Sequence, residues 1–347
     1  MSATRFGIER AELATLLDGH PRYRLDQVWA AMYAQGGEPS SWTTLPKGLR
    51  DELAHALPRE LSEKASSVSD DGDTIKFLFE TSGGHRIETV LMKYSDRATV
   101  CVSTQAGCAM GCSFCATGQA GFSRHLTVGE IVEQVALAKE AAASTGRRLT
   151  NVVAMGMGEP LANEDALWPA MQRIHDDFGL SARHLTVSTV GLIPGIRRLA
   201  ERPLPVTLAV SLHAARDELR NQLIPINRRY PIRDLMNACR DYVESRRRRM
   251  SFEWAMIDGV NDSVRDAEEL ARLCREIRPV VHVNLIPLNR TPGYPVSGSS
   301  HARIQAFRAV LDSAGVPVTV RRNRGNEIDA ACGQLAAGQP IKISRKT

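Results

Sequence analysis

The sequence predicts an α/β fold with parallel strands, preceded by a small helical domain and a β-hairpin extension. Three observations support this prediction. Short apolar runs alternate with helical patterns from about residue 100 to about residue 320. The stretch before them, from residue 66 to residue 100, shows the two-residue alternation of antiparallel strands. The stretch 8–57 shows only helical spacing, which prolines interrupt.

The N-terminal part carries apolar residues at helical spacing, such as Leu13, Leu16 and Leu17. Its segment from Tyr23 to Tyr33 mixes aromatic and basic side chains. Such a mixture either fills a small core or contacts RNA, and the sequence favours neither alternative. We expect a helical RNA-binding accessory domain over residues 1–58.

Two alternating runs follow, Thr74–Phe79 and Arg86–Met92, separated by Ser82-Gly83-Gly84. Runs of this kind across a glycine-rich turn predict a β-hairpin, here within an extension that spans residues 59–95. The run Val100–Ser103 then predicts the first strand of the main domain, residues 96–340.

The main domain is predicted to repeat βα units, which place helices outside parallel strands. Composition and order leave an open sheet and a barrel as alternatives. The later strands are predicted at Asn151–Met155, His184–Ser188, Val206–Ser211, Ser251–Met256, Val281–Ile286 and Val316–Val320. The helices are predicted at Thr127–Ala143, Ala166–Phe178, Ile232–Ser245, Asp266–Ile277 and His301–Ala314.

Composition limits the classes of protein to which the chain can belong. With 347 residues, 43% of them hydrophobic, it can bury a large core. No run of about 18 apolar residues occurs and no signal-peptide pattern is visible, so we expect a soluble, cytoplasmic protein without a membrane partner. The seven cysteines, an odd number, do not fit a secreted disulfide framework.

The net charge of +5 favours a polyanionic partner, and its distribution is more informative than its size. We expect at least one of four basic segments to contact RNA phosphates. These segments are Arg197–Arg198, Asn227–Arg229, Arg246–Arg249 and Arg321–Arg324. Four consecutive arginines cannot share one face of a helix, so Arg246–Arg249 fits a solvated loop equally well.

The most informative motif is Cys108-x3-Cys112-x2-Cys115. Structural zinc sites and electron-transfer clusters use four protein ligands, whereas three thiolates on a four-iron cluster leave one iron open. The small residues Gly107 and Gly111 permit the loop to wrap closely around an inorganic core. A zinc site that takes its fourth ligand from a distant histidine is the alternative.

This motif, with an aromatic residue before its last cysteine, resembles the cluster loop of radical S-adenosylmethionine (SAM) enzymes. The sequence is also similar to the RlmN-type RNA adenine-C2 methyltransferases from about Tyr23 to Leu335, nearly its whole length. The segments that carry this similarity are Cys101–Cys108, Gly156–Pro160, Ser211–His213, Asn284–Pro287 and Asp329–Leu335. The resemblance implies a partial (β/α)6 barrel and a 4Fe-4S cluster held by Cys108, Cys112 and Cys115.

The resemblance further implies SAM as a cofactor, bound by residues at predicted strand ends, where βα barrels place reactive groups. Glu159 would receive the α-amino group of SAM, Ser188 its carboxylate or ribose, and Asn289 its adenine or ribose. The implied SAM-binding set is Gly158, Glu159, Ser188, Ser211, Leu212, His213 and Asn289. From the residues alone, a plain turn is the default for Gly156–Pro160. His213 could be a core histidine, but its place at a strand end favours a polar contact with the cofactor.

The resemblance also assigns the remaining chemistry. Cys332 would take a methyl group from a first SAM, and a 5′-deoxyadenosyl radical from a second SAM would activate it for addition to adenine C2. Glu88 would accept the C2 proton, and Cys101 would attack the sulfur of Cys332 to form a Cys101–Cys332 disulfide. An electron donor such as flavodoxin is implied. By themselves, Cys101 looks like a buried thiol and Cys332 like an incidental one, as Cys239 and Cys274 do within their helices.

The implied substrates are an adenosine of the peptidyl-transferase centre in 23S rRNA and the purine at position 37 of tRNAs. Such a base must leave its stack to meet a cysteine. One alternative is methylation at C8 of the same rRNA adenine, which uses the same cysteine set. A cluster-bearing RNA-binding protein without catalysis is a second alternative, and the presence of both Cys101 and Cys332 argues against it.

Overall fold

A ten-stranded sheet organises the computed structural model, which describes residues 3–279, 281–291, 293–321 and 324–338. Its strands are β1 (Leu61–Val68), β2 (Thr74–Thr81), β3 (Arg86–Lys93), β4 (Ala98–Cys101), β7 (Leu149–Ala154), β8 (Leu185–Thr189), β9 (Thr207–Ser211), β10 (Ser251–Met256), β11 (His282–Pro287) and β12 (Val318–Val320). Two further strands, β5 (Gln105–Gly107) and β6 (Phe122–His125), pair with each other in a small separate sheet.

The helices lie around this sheet. They are α1 (Arg10–Leu16), α2 (Tyr23–Ala30), α3 (Lys47–Ala56), α4 (Ala116–Ala120), α5 (Val128–Ser144), α6 (Glu164–Asp176), α7 (Ile193–Glu201), α8 (Asp217–Leu223), α9 (Ile232–Arg246), α10 (Val264–Arg275) and α11 (His301–Ser313).

Most aromatic residues of the N-terminal helices fill a core. Tyr33 is buried, and its ring packs edge-on against Phe178, with 5.2 Å between ring centroids. Trp29 Nε1 donates a hydrogen bond to Asp177 Oδ1 at 2.7 Å, just after α6. Only Tyr23 presents a largely exposed ring. Of the two alternatives for this segment, core filling therefore accounts for Trp29 and Tyr33.

The antiparallel part of the sheet has one strand more than the predicted hairpin. β1 pairs with β2 from Leu61 opposite Thr81 to Val68 opposite Ile75, and β3 pairs with β4. The hairpin is therefore continuous with the main sheet. β1 escapes prediction because most of its side chains face solvent and several are serine, glutamate or lysine. A polar edge strand of this kind resists pairing with another chain.

Seven strands, β4 and β7 to β12, run parallel and are neighbours in chain order. Each of the first six leads through at least one helix into the next. Among the described residues, β12 pairs only with β11, so the sheet does not close. Val90 on β3 and Val320 on β12 nevertheless line one cavity, which requires the sheet to curve. The partial (β/α)6 barrel is confirmed, and a flat open sheet is excluded.

The helix α7 has no counterpart in the sequence prediction. It is only nine residues long, so its buried residues Ile193, Ile196 and Leu199 give too few repeats for a clear helical period. Pro194 also resembles a helix breaker, although proline is well tolerated in the first turn. The short helix α8 is missed for the same reason of length.

Two cysteines pack inside the core. Cys239 on α9 and Cys274 on α10 are fully buried in the main core, as predicted for thiols that pack as small hydrophobes. Among the described residues, no helix has the length and apolar character that a membrane span requires.

Candidate active site

A cavity of about 420 Å³ opens where the parallel strands end. Every parallel strand contributes a residue at or just beyond its carboxyl end. These residues are Cys101, Met155, Ser188, Ser211, Ala255, Leu288 and Val320. The cavity therefore occupies the edge at which parallel barrels carry their reactive groups, and its size is that of a small-molecule site.

The cluster loop, residues 107–118, is shaped by close backbone contacts. Gly107 has a φ of 78°, and a Cβ there would lie 1.9 Å from the carbonyl oxygen of Gly121. The amide of Cys108 donates to the same oxygen at 2.8 Å. At Gly118, a Cβ would lie 3.0 Å from the amide nitrogen of Cys112. Glycine is thus required for the loop to close on itself.

Cys108, Cys112 and Cys115 all line the cavity. Burial raises the pKa of Cys108 to about 12 and that of Cys112 well above its usual value, so a bound cation is needed to stabilise the thiolates. Within the described ranges, no three His, Cys, Asp or Glu side chains are grouped to hold a single metal ion. Thiolates that bind different irons of one cluster stand further apart than ligands of one ion. Three thiols that belong to one short loop and line one cavity fit a cluster that leaves one iron open.

Glu159 lies opposite this loop, fully enclosed at the cavity wall. Its Oε1 accepts from the amide of Leu161 at 3.1 Å and its Oε2 from the amide of Val190 at 2.9 Å. Burial nevertheless raises the pKa of this carboxyl to about 7. Gly158, with a φ of 107°, makes room for the turn, because a Cβ there would lie 2.6 Å from Cβ of Gln105. A cationic group in the cavity would stabilise the Glu159 carboxylate.

His213 follows β9 with a φ of 55°, and its ring packs edge-on against Phe114, 4.8 Å away. Its Nδ1 accepts from the amide of Ala255 at 2.8 Å, so in the neutral ring the hydrogen is on Nε2. Burial, with the Arg220 guanidinium, lowers the pKa of His213 to about 3. The histidine is therefore a neutral hydrogen-bond donor at the cavity wall.

The other residues predicted to bind SAM divide into two groups. Ser188 and Ser211 line the cavity, and Ser188 Oγ donates to the carbonyl oxygen of Ala154 at 2.7 Å. Leu212 does not line it, because its side chain is wholly buried in the main core. Its carbonyl oxygen accepts from Arg220 Nε at 3.0 Å. Leu212 therefore contributes backbone and packing to this wall.

Cys101 and Cys332 line the same cavity, although Cys101 lies near the start of the barrel domain in sequence and Cys332 near its end. Cys101 ends β4, where it pairs with Val90, and Cys332 lies in a loop after β12. Burial, followed by the neighbouring Cys332 thiol, raises the pKa of Cys101 to about 12. The Cys332 residue is exposed because the cavity is open, and Asn289 Nδ2 donates to its carbonyl oxygen at 3.1 Å. All seven cysteines are free, so no Cys101–Cys332 disulfide is formed.

Comparison with known proteins decides the family. The sequence matches the Radical SAM superfamily over residues 102–274. It is 47% identical to the probable dual-specificity RNA methyltransferase RlmN of Chloroflexus aurantiacus, over 96% of this chain and 93% of that one. It is also 47% identical to the dual-specificity RNA methyltransferase RlmN 1 of Myxococcus xanthus, over 97% and 95%. The chain belongs to the RlmN family.

A solved structure supports this membership. A radical SAM methyltransferase from Sphaerobacter thermophilus matches with a TM-score of 0.92 and 51% sequence identity, over 96% of this chain and 99% of that one. As an RlmN-type enzyme the chain is a SAM-dependent RNA methyltransferase. Its superfamily implies a 4Fe-4S cluster and SAM.

One residue that the RlmN resemblance assigns to the chemistry lies outside the cavity lining. Glu88 is buried, and Lys76 Nζ lies 3.1 Å from its Oε1. Its Oε2 accepts from the amides of Ala336 and Ala337 at 2.8 and 3.0 Å. Both carboxylate oxygens are therefore engaged with the loop that carries Cys332 and with the neighbouring strand. The role of Glu88 as a proton acceptor stays a prediction.

Sequence reasoning missed Glu253, a buried carboxylate of this RlmN-family cavity. Its Oε1 accepts from Ser251 Oγ at 2.7 Å and from Asn284 Nδ2 at 2.8 Å, and Arg321 Nη2 lies 3.8 Å from its Oε2. A signal was available, because Glu253 is a charge in the otherwise apolar centre of a predicted strand. Glu253 was missed because it lies outside every sequence motif that was recognised.

The arginine segments considered for RNA contact lie in different places. Arg246 and Arg248 donate to backbone carbonyls just before β9, at the end of the barrel opposite the cavity. The solvated-loop alternative accounts for them. Arg321 and Arg324 line the cavity, whereas Arg322 and Asn323 lie outside the described residues, as does the predicted domain end at residue 340. Of the four segments, 321–324 is thus the one whose described arginines line the cavity.

Proposed function

We propose that this enzyme methylates C2 of adenine in RNA through a methyl group carried on Cys332. The proposed substrates are the adenosine of the peptidyl-transferase centre in 23S rRNA and the purine at position 37 of tRNAs, in the cytoplasm. One observation carries the proposal. Five cysteines line a single cavity, three of them in one short loop and two, Cys101 and Cys332, outside it.

In this proposal, three thiolates bind the cluster and one carboxylate binds SAM. Cys108, Cys112 and Cys115 would hold the 4Fe-4S cluster, whose bound state supplies one-electron cleavage of SAM and so the removal of a hydrogen atom. Glu159 faces the same cavity, and its raised pKa favours a cationic partner such as the α-amino group of SAM.

The remaining cavity wall would orient SAM by hydrogen bonds. The Nε2 hydrogen of His213 is fixed by the contact at Nδ1 and can donate to a cofactor oxygen. Gly158 gives backbone access beside Glu159, and Ser188, Ser211 and Asn289 present polar groups at three other strand ends. Leu212, between Ser211 and His213 in the chain, would anchor the backbone that carries these two residues.

Cys332 and Cys101 would act in sequence. The Cys332 sulfur takes a methyl group by polar transfer, since its loop presents it to the cavity. After a hydrogen atom has left the Cys332 methyl group, its carbon would bond to adenine C2. Glu88 would accept the C2 proton, and the one surplus electron would return to the oxidised cluster. The Cys101 sulfur would then attack the Cys332 sulfur and break the bond from that sulfur to the methylene carbon, which takes up a proton to become the methyl group of the base. A Cys101–Cys332 disulfide remains. Reduction of that disulfide, and of the cluster, requires an electron donor such as flavodoxin.

Methylation at C8 uses the same thiols and is the second candidate, so the product nucleoside decides. Reconstituted enzyme would be incubated with SAM, reductant and either 23S rRNA or tRNA, and the digested RNA compared with C2- and C8-methyladenosine by mass spectrometry. We expect the C2 product, none with Cys332→Ala, and a normal yield with Cys239→Ala, which removes a buried thiol outside the cavity. A C8 product would overturn the C2 assignment.

A further inference from the structure

The Cys332 loop, defined here as residues 329–337, is held at both ends by one ion pair. Lys76 Nζ lies 3.1 Å from Glu88 Oε1 and donates to the carbonyl oxygen of Asp329 at 3.3 Å. Glu88 Oε2 accepts from the amides of Ala336 and Ala337. The beginning and the end of the loop therefore meet the same two side chains.

Those two ends carry an unfavourable backbone conformation. Asp329 and Ala337 both have a φ of 52°, in the left-handed region that disfavours residues with a Cβ. Such a conformation persists only where the surroundings hold it, and it tends to occur at sites with a mechanical or chemical function. Lys76 and Glu88 are the side chains that contact both of these ends.

The ion pair is placed to hold the loop firmly. Lys76 on β2 is opposite Val90 on β3, and Glu88 lies two residues before Val90, so the pair is a diagonal contact on one face of the sheet. The side chains of Lys76 and Glu88 are only 15% and 7% exposed. Hydrogen bonds to a shielded carboxylate are stronger than those between neutral groups.

We propose that the Lys76–Glu88 pair is a clamp that positions the Cys332 loop, and that neutralisation of Glu88 by a proton opens it. The first part rests on geometry alone. The second part rests on the proposed function: a proton that moves from adenine C2 to the Glu88 carboxylate removes its negative charge. The neutral acid then binds Lys76 and the two amides more weakly, and the freed loop can bring the Cys332 sulfur to Cys101.

The clamp can be tested without RNA or turnover. Hydrogen exchange would be followed by mass spectrometry in the anaerobic holoenzyme, in peptides that contain Ala336 and Ala337. We expect exchange about tenfold faster or more in Lys76→Met, because a charge-assisted contact is lost. Glu88→Gln, which imitates the protonated acid, should have a similar effect. Lys76→Arg, which keeps the positive charge, should retain the protection of the unaltered enzyme.

Lys64→Met is the matched control, because Lys64 Nζ lies 2.9 Å from Glu80 Oε1 in the same antiparallel region and does not touch the loop. Exchange in α10 reports whether each variant is folded. The clamp would be overturned if the loop exchanged no faster in Lys76→Met than in Lys64→Met. If Lys76→Met also loses protection in α10, that variant is unfolded, and loop exchange in Glu88→Gln then decides whether the clamp exists. Normal protection in Glu88→Gln would overturn release by neutralisation. The nucleoside experiment is unaffected by either result, so the two proposals can fail separately.

Discussion

Two loops bring cysteines to the same cavity, and they are held in opposite ways. The cluster loop is fixed by nearby backbone: Gly107 packs against the carbonyl oxygen of Gly121, 14 residues further along the chain, and the amide of Cys108 donates to the same oxygen. The Cys332 loop is fixed by side chains from distant parts of the chain, above all Lys76 and Glu88. Close backbone packing suits a loop that must keep one shape, whereas hydrogen bonds from side chains can break and form again with other partners. We infer that the first loop stays and the second moves during the cycle.

The largest effect on stability should follow from a substitution that prevents the close backbone packing of the cluster loop. Gly107→Ala adds a Cβ 1.9 Å from the Gly121 oxygen, at a φ of 78°. The combined clash and backbone strain should lower the free energy of unfolding by about 3 kcal/mol. The loop should also lose its capacity for iron. Thermal denaturation and iron analysis after reconstitution would measure both.

Gly48→Ala provides the control for that change. Gly48 lies in α3 without a positive φ, and a Cβ added there would meet no atom within 4 Å outside its own helix and its chain neighbours. Alanine should therefore be neutral or slightly stabilising at this position. If Gly107→Ala retained iron and stability as well as Gly48→Ala does, steric closure would not be what fixes the cluster loop.

A smaller effect should follow from Thr117→Val, which alters a contact between the two loops. Thr117 Oγ1 donates to the carbonyl oxygen of Leu335 at 2.5 Å, and valine keeps its shape without the donor. We expect a loss of about 1 kcal/mol, confined to the Cys332 loop, with iron content unchanged. Hydrogen exchange of residues 329–337 and iron analysis would check this. Thr145→Val is the control, because it removes a similar hydrogen bond, from Oγ1 to the Ala142 carbonyl oxygen, at the end of α5. Iron loss as large as in Gly107→Ala would show that the loops are not independent.

The same contrast explains what the sequence could predict. The cluster cysteines, the glycines and most βα units are recognisable because their information lies within about 20 residues of chain. The contact of Lys76 with Asp329 spans 253 residues and that of Glu88 with Ala336 spans 248, so no local pattern contains them. The role that resemblance assigns to Glu88 likewise says nothing of its partners, which only the folded chain brings together.

The central claim is that Cys332 carries the methyl group and Cys101 releases the product. Both thiols line one cavity, and the different roles proposed for them should make the two substitutions fail at different steps. Cys332→Ala should form no RNA product. Cys101→Ala should form the bond to RNA and then stop, because the thiol needed for exchange is missing. Cys274→Ala, which removes a buried thiol on α10, should behave as the unaltered enzyme.

The most direct measurement is therefore the mass of Cys101→Ala protein isolated from cells. We predict extra mass that nuclease treatment reduces to a nucleotide remnant, mapped by peptide sequencing to Cys332. Fully active Cys101→Ala protein without bound RNA would contradict the release role of Cys101. A remnant on any residue other than Cys332 would contradict the methyl-carrier role on which the account depends.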